Sequence, residues 1–346
     1  MLHHGDAVGR HTVAVRDVLV SRGVASRIYV ELIDPETETE TEVYSAYADQ
    51  HEVGDTLLYQ MATASGLAPW LADRPETLVV NYHNITPPEL YAAWDNGLAR
   101  HQVAARNQMA ALAHRASLGV AVSSFNERDL VAAGYRATAV VPPAAMLPTS
   151  AGPGMFAHSA RTPRGARWLC VGRVAPNKTI EDALMALLVT RAHQDPLATL
   201  TVIGRPVVPS YTRALHRFVA DLGLRDAVQF LGHVSDSTLA EALARSDVLV
   251  LVSAHEGFGV PLVEAMTIGL PVVANRAGAL PEVVGDGGTL VDTRDPWALA
   301  DAVAGVLGDP ARSAAMTDAA RLQLISLNLS TAGDRLVDLL LSLATG

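Results

Sequence analysis

Two periodicities alternate along the chain. Short runs of β-branched and apolar residues predict strands at 26–32, 56–60, 78–82, 118–122 and 138–141. Further runs follow at 167–172, 199–203, 227–231, 247–252, 271–274 and 288–291. Between them lie Ala/Leu-rich stretches with helical spacing, at 10–22, 98–116, 180–193, 210–222, 237–245, 260–268 and 296–307. Strands alternating with helices argue for βαβ units and parallel sheets. Residues 142–166 are rich in Pro, Gly, Ala and Ser and carry no period, as expected of an interdomain linker. The layout is that of an α/β protein: two Rossmann-like, doubly wound domains, 1–150 and 151–328, facing each other across a cleft. The alternation of Glu36, Glu38, Glu40 and Glu42 with Thr reads as a solvated surface strand or loop. No internal repeat is present.

Composition narrows the classes. The chain has 346 residues, 49% of them hydrophobic, enough for two cores of ordinary size. No apolar run reaches the roughly 18 residues of a membrane span, and no basic segment precedes an apolar one as in a signal peptide. A single cysteine, Cys170, excludes an internal disulfide framework and fits a reducing, cytoplasmic setting. Net charge is -10, without the basic stripe of a nucleic-acid binder, so no nucleic-acid partner is expected. Peripheral membrane contact has no support from charge. The composition holds one lysine, Lys178, among 26 basic residues. A high-GC genome that writes Arg for Lys explains the scarcity but not where the survivor stands.

Four segments carry candidate chemistry. In 247–266, DVLVLVSAHEGFGVPLVEAM, a strand ends, a loop follows, and a helix begins near Val260. The amides of Phe258, Gly259 and Val260 fall at a helix N-terminus, which favours an anion, and Gly257 and Gly259 permit close backbone approach. Glu256 and Glu264 beside this cradle suit sugar hydroxyls better than phosphate. An ordinary strand–turn–helix junction with surface glutamates would present the same residues. In 168–178, WLCVGRVAPNK, Arg173 and Lys178 follow the first strand of the second domain, at the strand ends where such sheets bind ligands. Two cations there could neutralise a diphosphate leaving group; a solvated loop is the plain alternative. In 78–88, LVVNYHNITPP, His83 stands just past a strand, one of 12 histidines that could equally be structural. Residues 5–9, Gly-Asp-Ala-Val-Gly, resemble a glycine turn feeding a helix, with Gly5 and Gly9 able to face a donor. There is no P-loop, G-x-S-x-G elbow, Cys/His metal spacing or Asp-x-Asp after a strand, and mid-strand Cys170 reads as core.

Together these segments resemble glycosyltransferase family 4, the retaining GT-B transferases. Glu256 and Glu264 match its E-x7-E motif within HEGFGVPLVEAMTIGLPVVANRAGALPEVVGDGGTLVD, and VGRVAPNK resembles its VGR…K motif. SSFNERDLVAAGY (123–135) resembles the strand–helix segment before the linker. The resemblance covers most of 78–310. It implies diphosphate binding by Arg173 and Lys178, ribose binding by Glu264, and hexose binding by Glu256 with the amides of 257–260. It also implies His83 beside the donor sugar, and Gly204 with His233 and Val234 near the base. A final helix, 332–344 within 329–346, is implied to cross back to the first domain.

The implied activity is retaining transfer of a hexose from a UDP- or GDP-sugar to a glycan, lipid-linked or small-molecule acceptor, as in polysaccharide biosynthesis. No cofactor and no metal are implied. Retention without an evident enzymic nucleophile suggests front-face transfer, in which the protein positions the reactants and stabilises charge. A GT-B epimerase or phosphorylase is a second enzymic reading, and a catalytically silent nucleotide-sugar-binding protein a third. Two departures concern the N-terminal half: Pro142-Pro143-Ala144 stands where an Asn-Gly turn is common, and only Met1–His4 precede the first turn. A central strand usually needs about five residues, so a weakened N-terminal sheet, or a native start upstream of Met1, is expected.

Overall fold

A computed structural model describes residues 2, 6–144, 165–292 and 294–344. Helices and strands follow one another as α1 (Ala7–Ser21), β1 (Ile28–Val30), β2 (Thr41–Val43), β3 (Thr56–Met61), α2 (Leu67–Ala72), β4 (Thr77–Tyr82), α3 (Glu89–Ala92), α4 (Asn96–Leu112), β5 (Leu118–Ala121), α5 (Ser124–Ala132) and β6 (Thr138–Val140). After the undescribed stretch come β7 (Arg167–Val171), α6 (Ile180–His193), β8 (Thr199–Ile203), α7 (Pro209–Asp221), β9 (Val228–Gly232), α8 (Asp236–Arg245) and β10 (Val248–Leu251). The chain ends with α9 (Val260–Thr267), β11 (Val272–Asn275), α10 (Leu280–Val284), β12 (Thr289–Val291), α11 (Pro296–Gly308), α12 (Pro310–Ser326) and α13 (Ala332–Ala344). All pairings between strands are parallel, as the alternation requires.

The chain forms two compact units, one of Met1–Pro88, Gly97–Met146 and Asn328–Gly346, the other of Glu89–Asn96 and Leu147–Leu327. Asn328–Gly346 group with the first unit, and the grouping of Glu89–Asn96 with the second was not foreseen. The expected boundary at 150 and most of the 142–166 linker lie outside the described residues.

In the first unit, β3, β4, β5 and β6 form a four-stranded sheet in that order, while β1 and β2 pair only with each other. Among the described residues no strand joins the two sheets. Leu2 is buried against Ile28 and Val30, and the Thr37 hydroxyl donates to its carbonyl at 3.4 Å. The expected short first strand is thus seen only through Leu2, because Met1 and residues 3–5 lie outside the described residues. The 26–32 run yields a strand of three residues, since β2 offers three partners in register and Leu32 is exposed. Helix α1 begins three residues earlier than predicted. The Asp6 carboxylate accepts the Gly9 N–H at 2.7 Å, a side-chain cap that satisfies one of the first free donors of the helix. On α13, Leu336 and Val337 are fully buried with Val15 of α1, Val79 of β4 and Val120 of β5. Arg22 at the end of α1 donates to Asp334 at 2.6 Å and also to Asp338.

In the second unit the strand order is β12-β11-β10-β7-β8-β9. The chain moves outward from β7 to β9, then returns to lay β10 on the other side of β7 and moves outward again. Every residue of β10 and β11 is buried, as both faces of a central parallel strand must be. Cys170 lies in this layer with its thiol directed to the Val250 carbonyl at 3.0 Å, and burial pushes the thiol up to about 12. It is core, as predicted.

Because α13 covers β4 and β5, Leu336→Ala is expected to destabilise the first unit by about 2–5 kcal/mol, the range for a large-to-small core change. Hydrogen exchange at the amides of residues 79–82 checks this: unchanged protection would show that α13 does not hold that face.

Candidate functional site

The second sheet reverses its winding between β7 and β10. Ligands of such sheets bind beyond the carboxyl ends of the strands at that switch point. Two loops open there, residues 172–179 after β7 and 252–259 after β10. They are tied to each other by the backbone. The Ala254 N–H donates to the Asn177 carbonyl at 2.9 Å, and the Asn177 amide donates to the His255 carbonyl at 3.4 Å. The Val252 carbonyl accepts from the Thr179 hydroxyl and, at 2.7 Å, from the Asn275 amide. Thr179 has φ 40°, a left-handed conformation that a β-branched residue rarely adopts and that the surrounding bonds must hold.

At the centre of these ties the Lys178 ammonium donates to Glu256 Oε1, and the Ser253 hydroxyl donates to the same oxygen at 2.7 Å. The side chains of Lys178 and Glu256 are only 15% and 10% exposed, so each charge offsets part of the other's desolvation. The loop is also fixed from behind. The Ala279 N–H donates to the Glu256 carbonyl at 3.0 Å, and Gly278, at φ 58°, lies so close that a Cβ would meet that oxygen at 2.2 Å. A Cβ on Gly204, at φ 152°, would meet the Gly172 carbonyl at 1.8 Å. Gly204 therefore serves close packing of the β8 end against the β7 loop.

Helix α9 starts at Val260, as the sequence implies, with Gly259 as its cap at φ 94° and a proline in its first turn. Gly257, Phe258 and Gly259 are buried in the turn before it, and Glu264 is 3% exposed on the next turn. Arg173 and His233 are exposed, and Val234, just past β9, packs partly buried on the core beneath α9. Arg173, Lys178, Gly204, His233, Val234, Glu256, Gly257, Phe258, Gly259, Val260 and Glu264 thus belong to one sheet edge and its loops. Lys178 and Glu256 are in direct contact. Sequence reasoning missed Ser253, Asn177, Thr179, Asn275 and Gly278. Only Gly278 carried a signal, a glycine two residues ahead of a Leu-Pro helix start.

In the first unit His83 directly follows β4. Its N–H donates to the Met61 carbonyl at 2.8 Å, and its Nε2 lies 2.6 Å from the Gln60 side-chain amide. Asn84, the next residue, has φ 101°, strain of the kind that clusters at functional sites. Desolvation holds the His83 imidazolium well out of reach, and the neighbouring His11 adds to the effect. His11, 1% exposed, is lowered to about 4 by burial. The expected glycine turn at 5–9 is corrected here. Gly9 lies inside α1 with its N–H held by Asp6, so that donor is not offered to a ligand, and Gly5 lies outside the described residues.

This architecture is the α/β, GT-B fold. The chain superposes on the crystal structure of Anabaena Alr3699/HepE in complex with UDP-glucose with a TM-score of 0.78, at 20% identity, over 99% of this chain and 97% of that one. Residues 157–323 match the family described as Glycosyl transferases group 1, so the second unit carries a domain of that family. Among curated proteins, the chain is 37% identical over 159 residues to D-inositol 3-phosphate glycosyltransferase 2 of Catenulispora acidiphila, covering 44% of this chain and 37% of that one. It is 35% identical over 182 residues to the GDP-mannose-dependent alpha-(1-6)-phosphatidylinositol monomannoside mannosyltransferase of Mycolicibacterium smegmatis, covering 50% of this chain and 47% of that protein. In each case the match spans less than half the length of the relative.

Gly278→Ala and Gly204→Ala are expected to displace the loops that carry Glu256 and Lys178 while leaving the sheet folded. Titrating each variant with UDP and GDP tests this, and unaltered affinity in both would show the glycines to be passive. A second expectation concerns pH. The folded-state pKa of His11 lies below its ordinary value of 6.5, so the unfolded chain takes up the proton first. Its contribution is complete above about pH 6.5 and is lost as pH falls toward 4, on the order of 3 kcal/mol. Melting curves between pH 4 and 7 should show a shallower loss in His11→Gln than in the parent.

Proposed function

We propose that the chain is a retaining glycosyltransferase moving a hexose from a UDP- or GDP-sugar to a glycan, lipid-linked or small-molecule acceptor. The observation that carries this reading is the contact of Lys178 with Glu256 at the switch point of the second sheet, beside the N-terminus of α9. Lys178 and Arg173 would neutralise the diphosphate and stabilise it as it leaves. Glu264 would accept from the ribose hydroxyls and Glu256 from those of the hexose, with the first amides of α9 completing the anion cradle. His83 would act at the sugar-dependent step. The names of the relatives support a sugar donor of the nucleotide-diphosphate class: UDP-glucose is bound in the Anabaena structure, and GDP-mannose is named in the Mycolicibacterium enzyme. The acceptor hydroxyl would attack from the face the diphosphate leaves, passing its proton to a leaving-group oxygen.

The division of labour among these groups is testable by comparing free nucleotide with transfer. Lys178→Ala should weaken binding of UDP- or GDP-sugar by roughly 1.5–3 kcal/mol, the worth of one charge-assisted hydrogen bond. Glu264→Ala should weaken free nucleotide as well. Glu256→Gln frees the Lys178 ammonium, so it should bind free nucleoside diphosphate no more weakly than the parent, yet lose transfer. Calorimetric titration with UDP and GDP, alongside transfer assays with and without chelator, reads all of these. Equal losses of nucleotide affinity in every variant, or strict dependence on a metal, would overturn the assignment.

A further inference from the structure

Glu89–Asn96 lies between β4 and α4 in sequence yet groups with the second unit, and the proposed chemistry gives it no task. It packs on the turn that carries Lys178. Buried Tyr91 donates its hydroxyl to the Asn177 side-chain oxygen at 3.4 Å. The orientation of that amide is fixed from its other end, because its NH2 group meets the His255 carbonyl, which can only accept. The Trp94 carbonyl accepts from the Ser210 hydroxyl at 2.8 Å, and the Trp94 ring lies 5.1 Å from the Tyr211 ring, at 76°. Tyr211, itself buried, reaches the start of α6: its hydroxyl accepts from the Ile180 N–H at 3.0 Å and donates to Glu181 at 2.5 Å. Thr179, which precedes α6, makes no side-chain cap of its own, since its hydroxyl is engaged by the Val252 carbonyl. Tyr211 thus supplies an acceptor that the helix end needs.

Lys178 therefore stands between two held neighbours, Asn177 on one side and left-handed Thr179, followed by Ile180, on the other. A residue other than glycine persists in that conformation only where its surroundings over-determine it. We infer that Tyr91 and Trp94 are positioning residues for Lys178: through Asn177 and Tyr211 they hold both ends of the 177–180 turn, and with it the ammonium against Glu256. They act on the backbone from which the lysine projects. The consequence for donor binding rests on the reading of Lys178 as a diphosphate ligand, whereas the hold on the turn does not.

Hydrogen exchange and nucleotide titration of the full chain separate the two. Tyr91→Phe removes one hydroxyl and keeps the ring. It should speed exchange at the Ala254 amide, which bonds the Asn177 carbonyl, and weaken UDP and GDP about fivefold, equivalent to about 1 kcal/mol for a buried acceptor left without its donor. Trp94→Ala should speed exchange at Ile180 and weaken both nucleotides to a similar degree. Trp94→Phe, which restores a ring against Tyr211, should recover the parent's values. Amides of residues 200–203 should exchange as before in all three. In a Lys178→Ala background Tyr91→Phe should cost no further affinity, because its effect passes through the lysine. Unchanged exchange at Ala254 and Ile180 would overturn the inference. So would equal losses of affinity with and without Lys178, or full affinity in Tyr91→Phe where Lys178→Ala loses it. Faster exchange combined with full nucleotide affinity in Lys178→Ala would instead overturn the role given to Lys178.

Discussion

The contact between Lys178 and Glu256 organises the second unit's site. It joins residues 78 positions apart and lies where β7 and β10, adjacent in the sheet, release the chain. Two charges so little exposed offset part of each other's desolvation. The loops meet at this pair, and further contacts of the site hold them there. Thr179 and Asn275 converge on one carbonyl, Ser253 shares the glutamate oxygen with the lysine, and Gly278 lets a second segment approach the backbone of Glu256. A site held this way is preorganised, with its charged groups fixed before any ligand contributes binding energy.

The first unit uses a different kind of polar cluster. His11, Asn81, Gln60 and His83 carry no net charge, so their arrangement depends on hydrogen-bond direction rather than on Coulombic balance. The cluster meets the backbone at Ala144, whose N–H donates to His11 Nδ1. The second unit thus holds a charged pair and the first a neutral polar cluster.

Much of the fold was legible in the residues. Strand 199–203 and helix 180–193 were read with their observed limits, because a short apolar run and a long Ala/Leu-rich stretch between breakers have few other solutions. The site loops were legible too, since Lys178 is the chain's single lysine and the glutamates flank a glycine-rich helix start. The misreading at Gly9 shows the limit. A glycine ahead of an apolar helical run resembles a turn, but Asp6 three residues earlier is the stronger local signal, a helix cap.

What the sequence determined by itself was therefore local: strands, helices, the parallel α/β class, and the identity of the charged residues near a helix N-terminus. Period and residue type decide these within one turn or one strand. Tertiary structure decided the pairings that span the chain: Glu256 on Lys178, Glu89–Asn96 with the second unit, β1 and β2 apart from the larger sheet, and His11 beneath His83. His11 and Asn81 stand 70 residues apart, and no pattern along the chain marks either for the other. Their meeting depends on how α1 packs on the sheet, and so on the burial of faces contributed by segments that are distant in sequence.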